Sequence, residues 1–227
     1  MIEIKKNVFH FGAPQLFLMR NLLFLSSYDP NERKLISCIR KNNVSILEKY
    51  IQSGYSINHR ASKFVPFTDQ LLKHSPSLIC LSAFYHSLAV FRYLLINNAD
   101  IYTTDDIGTP ISHFAIAGGS LEIVMLLDDL NVSFDDAIFV AAERGNLRMF
   151  VWIYTNHFCD ICTKNKNGES VLSLASKTKN FKLINLVIDQ TKNNIELKDI
   201  FELMNDFTYY KTEVSSDEDY YDSDDFY

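Results

Sequence analysis

The feature that most narrows what this chain can fold into is a pattern that returns along it: a small residue in an apolar stretch, a break, and a second apolar stretch at helical spacing. It is clearest at residues 107–127, IGTPISHFAIAGGSLEIVMLL. There Gly108 and Thr109-Pro110 form a turn and His113 stands two residues before Ala115. Gly118-Gly119 then precede Leu121, Ile123, Val124, Leu126 and Leu127. Proline can open a helix because the N–H it lacks is one that no helix N-terminus satisfies internally. Ala115 and Ala117 let a second helix lie close, and the glycine pair supplies the positive φ that ends the first helix. The aliphatic spacing behind it predicts a second helix. Two short helices cannot bury both their faces alone, so such a pair needs neighbours stacked on each side.

Those neighbours are legible. Ser82 with Leu88, Val90, Phe91, Leu94 and Leu95 lies 33 residues before Ala115. Ala141 with Met149, Phe150, Trp152 and Ile153 lies 26 after it, and Ala175 with Leu183, Ile184, Leu186 and Val187 lies 34 further on. The short step is expected to remove a connection rather than a helix. A weaker copy has Cys38 as its small residue, followed by Val44, Ile46, Leu47, Tyr50 and Ile51, and ends in Gly54-Tyr55-Ser56-Ile57-Asn58. Asn98-Ala99-Asp100-Ile101 and Cys159-Asp160-Ile161 end two other copies in the same way.

With its period near 33 residues, its G-A-D-I-N-like endings and the T-P-L-H-like stretch at Thr109-Pro110 to His113, the chain resembles the ankyrin-repeat family over residues 29–190. The resemblance implies an all-α solenoid of about five helix-turn-helix repeats. Thr109-Pro110 stands one residue early, and Val171 replaces the proline of the last copy. The family's partner-binding surface, finger tips and two exposed positions on each first helix, carries over to Arg40-Lys41, Phe84-Tyr85, Ala117-Gly118, Glu143-Arg144 and Lys177-Thr178. Aromatic and arginine side chains dominate interface hot spots, so Phe84, Tyr85 and Arg144 are the expected anchors.

Residues 59–75 interrupt the array and stretch the step from Cys38 to Ser82 to 44 residues. They are read as a long finger or a short extra helix over Thr68–Lys73 with Thr68 as N-cap. Insertions of this kind tend to sit on one face of a solenoid, often the binding face. Residues 1–28, with Leu16, Met19, Leu22 and Leu23 on one face, are expected to form an N-terminal capping helix. Glu3, Arg20 and the lack of a small-x-small site argue against a signal peptide, and the apolar run is too short to span a bilayer. Leu197, Ile200, Phe201, Met204 and Phe207 predict a C-terminal cap helix that closes the array at 208, and residues 209–227 read as a disordered acidic tail.

The 47% apolar and 22% charged fractions are those of a soluble globular chain. With only 7 Gly and 5 Pro, Asn, Ser and Asp are expected to make the turns. The net charge of −6 is carried by the tail, where residues 212–227 hold seven acids and no base. The body is then close to neutral, without the basic field of a nucleic-acid binder. Four cysteines without a secreted-type framework point to cytoplasm or nucleus.

No catalytic or cofactor-binding motif is legible: no Gly-rich phosphate loop, H-E-x-x-H or G-x-S-x-G occurs. His113 is expected to bond neighbouring turn backbone rather than act as a base. The pairs Asp105-Asp106, Asp128-Asp129 and Asp135-Asp136 are expected to cap helices and fingers. His157, Cys159 and Cys162 have the spacing of a metal or redox site but lack a second ligand pair in sequence, and Cys159 stands where a finger wants a small residue. The leading expectation is a monomeric, non-enzymatic scaffold that binds a protein partner through Arg40, Lys41, Phe84, Tyr85, Glu143, Arg144, Lys177 and Thr178, without metal or cofactor. Metal or redox sensing through His157, Cys159 and Cys162, and capture of basic proteins by the acidic tail, are the alternatives.

Overall fold

The structure, a computed structural model, describes residues 30–191 apart from Phe64 and Phe158. The capping segments expected at 1–28 and Ile195–Phe207 and the acidic tail 209–227 lie outside the described residues. The described residues are all-helical, with ten α-helices, one 3-10 turn and two isolated antiparallel bridges, Arg60 to Ser77 and Lys164 to Ser170. The chain divides into two compact units, Met1–Thr109 and Pro110–Tyr227.

In the first unit α1 (Pro30–Arg40) pairs with α2 (Val44–Gln52), and α3 (Leu78–Phe84) with α4 (Leu88–Ile96). The two hairpins stack, α1 on α3 and α2 on α4. In the second unit α5 (Ile111–Gly118) pairs with α6 (Leu121–Asp129), α7 (Ala137–Glu143) with α8 (Leu147–Asn156), and α9 (Val171–Ser176) with α10 (Phe181–Thr191). There α7 lies against both α5 and α9.

All five hairpins keep one register. The small residues Cys38, Ser82, Ala115, Ala141 and Ala175 are buried, and four positions after each the backbone turns left-handed, at Asn42, His86, Gly119, Gly145 and Lys179, with φ of 53°, 57°, 77°, 63° and 58°. The next residue is Asn or Ser and precedes the second helix. Asn43, Asn146 and Asn180 satisfy an orphan helix N–H there, accepting from the backbone N–H groups of Ile46, Met149 and Leu183. Four of the second helices then bury a matching triplet: Val90-Phe91-Leu94, Ile123-Val124-Leu127, Met149-Phe150-Ile153 and Leu183-Ile184-Val187. In α2 only Leu47 is buried, and Ile46 stays exposed. Asn, His and Lys therefore hold conformations that glycine adopts more readily, which is how a chain with so few glycines still turns.

These turns also staple hairpin to hairpin within each unit. The Ser87 hydroxyl donates to the Ile39 carbonyl, and the Asn42 side chain accepts from the Val90 N–H at 3.0 Å. In the second unit the Asn180 amide donates to the Gly145 carbonyl at 2.8 Å.

The hairpins are regular, whereas the connections between them are not. Two fingers match: Asp105 and Asn165 each use one side-chain oxygen to accept from the N–H groups two and four residues on, around Gly108 and Gly168. Between α6 and α7 residues 130–136 replace a finger, so the short step does remove a connection and no helix. Between α2 and α3 the insertion folds back on its own unit: the Ala61 N–H bonds the Pro76 carbonyl, and buried Glu32 of α1 accepts from the Ser62 N–H. Its short helix is a 3-10 turn, Gln70–Leu72, capped by Asp69 rather than Thr68. Pro110 likewise stands at the N-cap of α5, one position before the helix proper.

The acidic pairs do not cap α-helices as expected. Asp106 binds Lys63 and Arg60, and the Lys63 bond first, then the Arg60 charge, hold its carboxyl below the usual range. Asp128-Asp129 close the C-terminal turn of α6, where the dipole is unfavourable to an acid, and Asp136 precedes α7 without a side-chain cap bond.

Candidate functional site

In the first unit, Arg33, Ser37 and Arg40 follow one another along α1 at i, i+4 and i+7, which puts them on one stripe of the helix, and Lys41 follows in the turn just past its end. The stripe meets Val65-Pro66-Phe67-Thr68 of the insertion and Tyr85 at the end of α3 around a cavity of about 290 Å³. Tyr85 is half-buried and packs edge-on against Phe84, ring centroids 5.3 Å apart. Burial pushes its hydroxyl pKa up, nearby Arg40 pulls it down and Asp69 raises it. Among the described residues Arg33, Arg40 and Lys41 have no carboxylate within ion-pair distance, in contrast to Arg60 and Lys63, which share Asp106.

The second unit has a cavity of about 430 Å³ at the connection that lost its finger, lined by Asp135, Asp136, Phe139, His157, Cys159 and Asp160 among others. The His157 ring packs against Phe134 at 4.7 Å and Trp152 at 5.0 Å. Its Nε2 is 3.4 Å from an Asp128 oxygen, within ion-pair distance but without hydrogen-bond alignment. Burial, then Asp135 and Asp136, push the Cys159 thiol pKa up, away from the thiolate that metal binding or exchange chemistry needs. Cys162 is exposed and is not part of the cavity wall. Among the described residues no group of three or more His, Cys, Asp or Glu is placed to hold a metal ion. Cys159 occupies the place of Ala99 in the preceding full finger: Asp100 and Asp160 each accept from the N–H two residues on at 2.9 Å, and Ile101 and Ile161 are buried behind them. The His113 ring N–H donates to the Asp135 carbonyl at 2.8 Å, a backbone tether for the shortened connection.

The remaining site residues spread over the surface. Glu143 and Arg144 are exposed at the end of α7. Lys177 is bound to Glu169 at 2.8 Å, and that pairing lowers the Glu169 pKa. Thr178 is half-buried, donates to the Ala175 carbonyl, and lies so close to Gly145 that a Cβ there would stand 2.9 Å from its own. It is part of the turn packing. Ala117 is half-buried and Gly118 buried.

Of the site residues expected from sequence, the structure gathers Arg40, Lys41 and Tyr85. It adds Arg33 and Ser37, which sequence reasoning missed, and residues 65–68 of the insertion, which it had placed on a face often used for binding without naming these positions. The helical stripe was present in the spacing of Arg33, Ser37 and Arg40, and Pro66 between apolar residues marked the insertion. No family model and no curated protein matches the chain.

Proposed function

We propose that the chain is a divergent ankyrin-type array acting as a non-enzymatic protein-interaction module, with Arg40, Lys41, Tyr85 and the insertion as its contact surface. One observation carries the reading. Five hairpins hold an invariant register from small residue to left-handed turn, while the two positions just before that turn change from Arg-Lys to Phe-Tyr, Ala-Gly, Glu-Arg and Lys-Thr, with Arg40, Lys41, Glu143, Arg144 and Lys177 exposed among them. A frame held constant with its surface varied suits recognition, and loops carried on rigid elements are where binding concentrates. Four unpaired cysteines, two of them buried, suit a reducing compartment, so cytoplasm or nucleus belongs to the same proposal. No helix among the described residues is long and apolar enough to cross a membrane.

The test is affinity capture with the full chain and with an Arg40→Glu, Tyr85→Ala variant, read by mass spectrometry beside a thermal melt. Proteins retained by the parent and lost by a variant of unchanged melting temperature support the reading. An unchanged set of captured proteins overturns it, as does a variant that unfolds while Arg40→Glu alone, at an exposed residue, loses nothing.

A further inference from the structure

We infer that the cavity between α1, Tyr85 and the insertion seats a phosphorylated serine or threonine in an extended segment of a protein partner. The inference rests on the protein-binding reading above and gives the partner its chemistry. Three cations converge on a space of about 290 Å³, two of them guanidiniums on the same helical stripe, with no carboxylate of the described residues paired to any of them. Asp69 acts electrostatically on Tyr85, and its carboxylate caps the 3-10 turn.

A carboxylate brings one charge to such a site and leaves the other cations repelling one another. A phosphate brings roughly −1.5 to −2 charges and three acceptor oxygens, enough for two guanidinium forks and an ammonium. Ser37 and Thr68 also line the cavity, and each carries a hydroxyl able to donate. The volume stands at the lower edge of the roughly 300–1,000 Å³ of ligand clefts and has room for a phosphorylated side-chain head. The wall decides the source of the phosphate. Val65, Pro66, Phe67 and Tyr85 offer apolar contact directly beside the cations, which a free anion leaves unused and the residues flanking a phosphorylated side chain can fill.

The experiment uses the full chain and a degenerate peptide library fixed at a central phosphoserine. The tightest sequence is then compared with its unphosphorylated form and its glutamate form. Inorganic phosphate, vesicles carrying a phosphoinositide, and a peptide of residues 212–227 are the competitors. The phosphopeptide is expected to bind at least about tenfold tighter than the unphosphorylated form, the equivalent of roughly 1.4 kcal/mol. Arg33→Gln and Arg40→Gln, both exposed on α1, are each expected to weaken it about tenfold at unchanged melting temperature. Binding of the phosphopeptide, not of the glutamate form, is expected to fall below about pH 6, where the phosphate loses its second charge.

Equal binding without the phosphate overturns the inference and leaves the protein-binding reading standing. Inorganic phosphate competing at peptide concentrations, or vesicles binding where no peptide does, overturns the peptide source. Tightest binding by residues 212–227 assigns the cavity to the chain's own acidic segment instead. If no probe binds and partner capture is also insensitive to Arg40 and Tyr85, both readings fall together.

Discussion

The two units solve the same packing problem with the same hairpin and differ almost entirely in how one hairpin is joined to the next. In the first unit residues 53–77 spread an insertion along the connection. It is anchored by Glu32, capped by Asp69, and lays Pro66 and Phe67 beside cations that no carboxylate of the described residues pairs with. In the second unit residues 130–136 shorten the connection until His113 ties its backbone to α5, and the gap becomes a cavity walled by three aspartates. Inside the hairpins neither change is felt, since the small residue, the left-handed turn and the capping residue keep their spacing throughout. Packing therefore constrains the hairpin tightly and the connection loosely, and the connections are where the two units acquire different chemistry.

The largest effect is expected from attacking the shared frame. Ala115 is fully buried where α5 meets its neighbours, so Ala115→Asp places an unpaired charge there, at a cost of about 3–5 kcal/mol or more. That is comparable to the whole stability of many small domains. Loss of most helical circular dichroism from the second unit is the expected result. Retained helicity would mean that the common register is not what holds the hairpins together.

Next in size is a glycine that distinguishes the two kinds of turn. Gly145 lies inside a hairpin at φ +63° with Thr178 where its Cβ would go, whereas Gly108 tips a finger at φ +85° with nothing within 4 Å. Gly108→Ala should cost about 1–2 kcal/mol, for the left-handed backbone alone. Gly145→Ala adds crowding against Thr178 and should cost about 2–4 kcal/mol. Chemical denaturation of the two variants measures the gap, and equal midpoints would dissolve the distinction between frame and finger.

That distinction also explains which parts of the molecule were legible in the sequence. Helices, small residues and aliphatic triplets are set by local periodicity and burial, so among the described residues the paired helices appear where the apolar spacing put them, with the boundary at Pro110 off by a residue and the helix expected over Thr68–Lys73 reduced to a 3-10 turn capped by Asp69. The acidic pairs were half legible: Asp105 does hold a finger turn, accepting from the Ile107 and Thr109 N–H groups, but none of the pairs makes a side-chain cap bond to an α-helix. Asp106 is drawn instead to Arg60 and Lys63, partners more than forty residues earlier. The cavity at Arg40 was only half legible for a similar reason. Its cations lie on one helix and the residue just past its end, but the fold-back of the insertion depends on tertiary bonds such as Ser62 to Glu32, which no local pattern announces.

Smaller again is the effect of the caps. Asn146 accepts from the Met149 N–H at the start of α8, so Asn146→Ala should cost about 1 kcal/mol. Ser120 holds the equivalent place before α6 but turns its hydroxyl to Glu122 at 3.2 Å and makes no cap bond. Ser120→Ala should therefore change the melting midpoint much less than Asn146→Ala. A larger loss at Ser120 would show that its burial, rather than capping, is what the position requires.

The smallest effect concerns charge, and it bears directly on the contrast between the units. At equivalent surface places no carboxylate of the described residues pairs with Arg40 or Lys41 in the first unit, while the second binds Lys177 to Glu169, whose pKa is lowered first by that bond and then by Asn165. Because the folded carboxyl sits below its unfolded value, the pair's contribution is present above the ordinary glutamate range and is lost as pH falls through the lowered pKa. The pair is solvent-exposed and screened, so the contribution is on the order of 0.5 kcal/mol or less. Lys177→Met should accordingly leave neutral-pH stability nearly unchanged while the Glu169 titration, followed by side-chain carbonyl NMR, moves up toward its usual range. Arg40→Gln, with no carboxylate to release, should shift no such titration in the first unit. A carboxyl there that moved up on Arg40→Gln would reveal a partner for the guanidinium and remove the main electrostatic reason for an anion to enter the cavity.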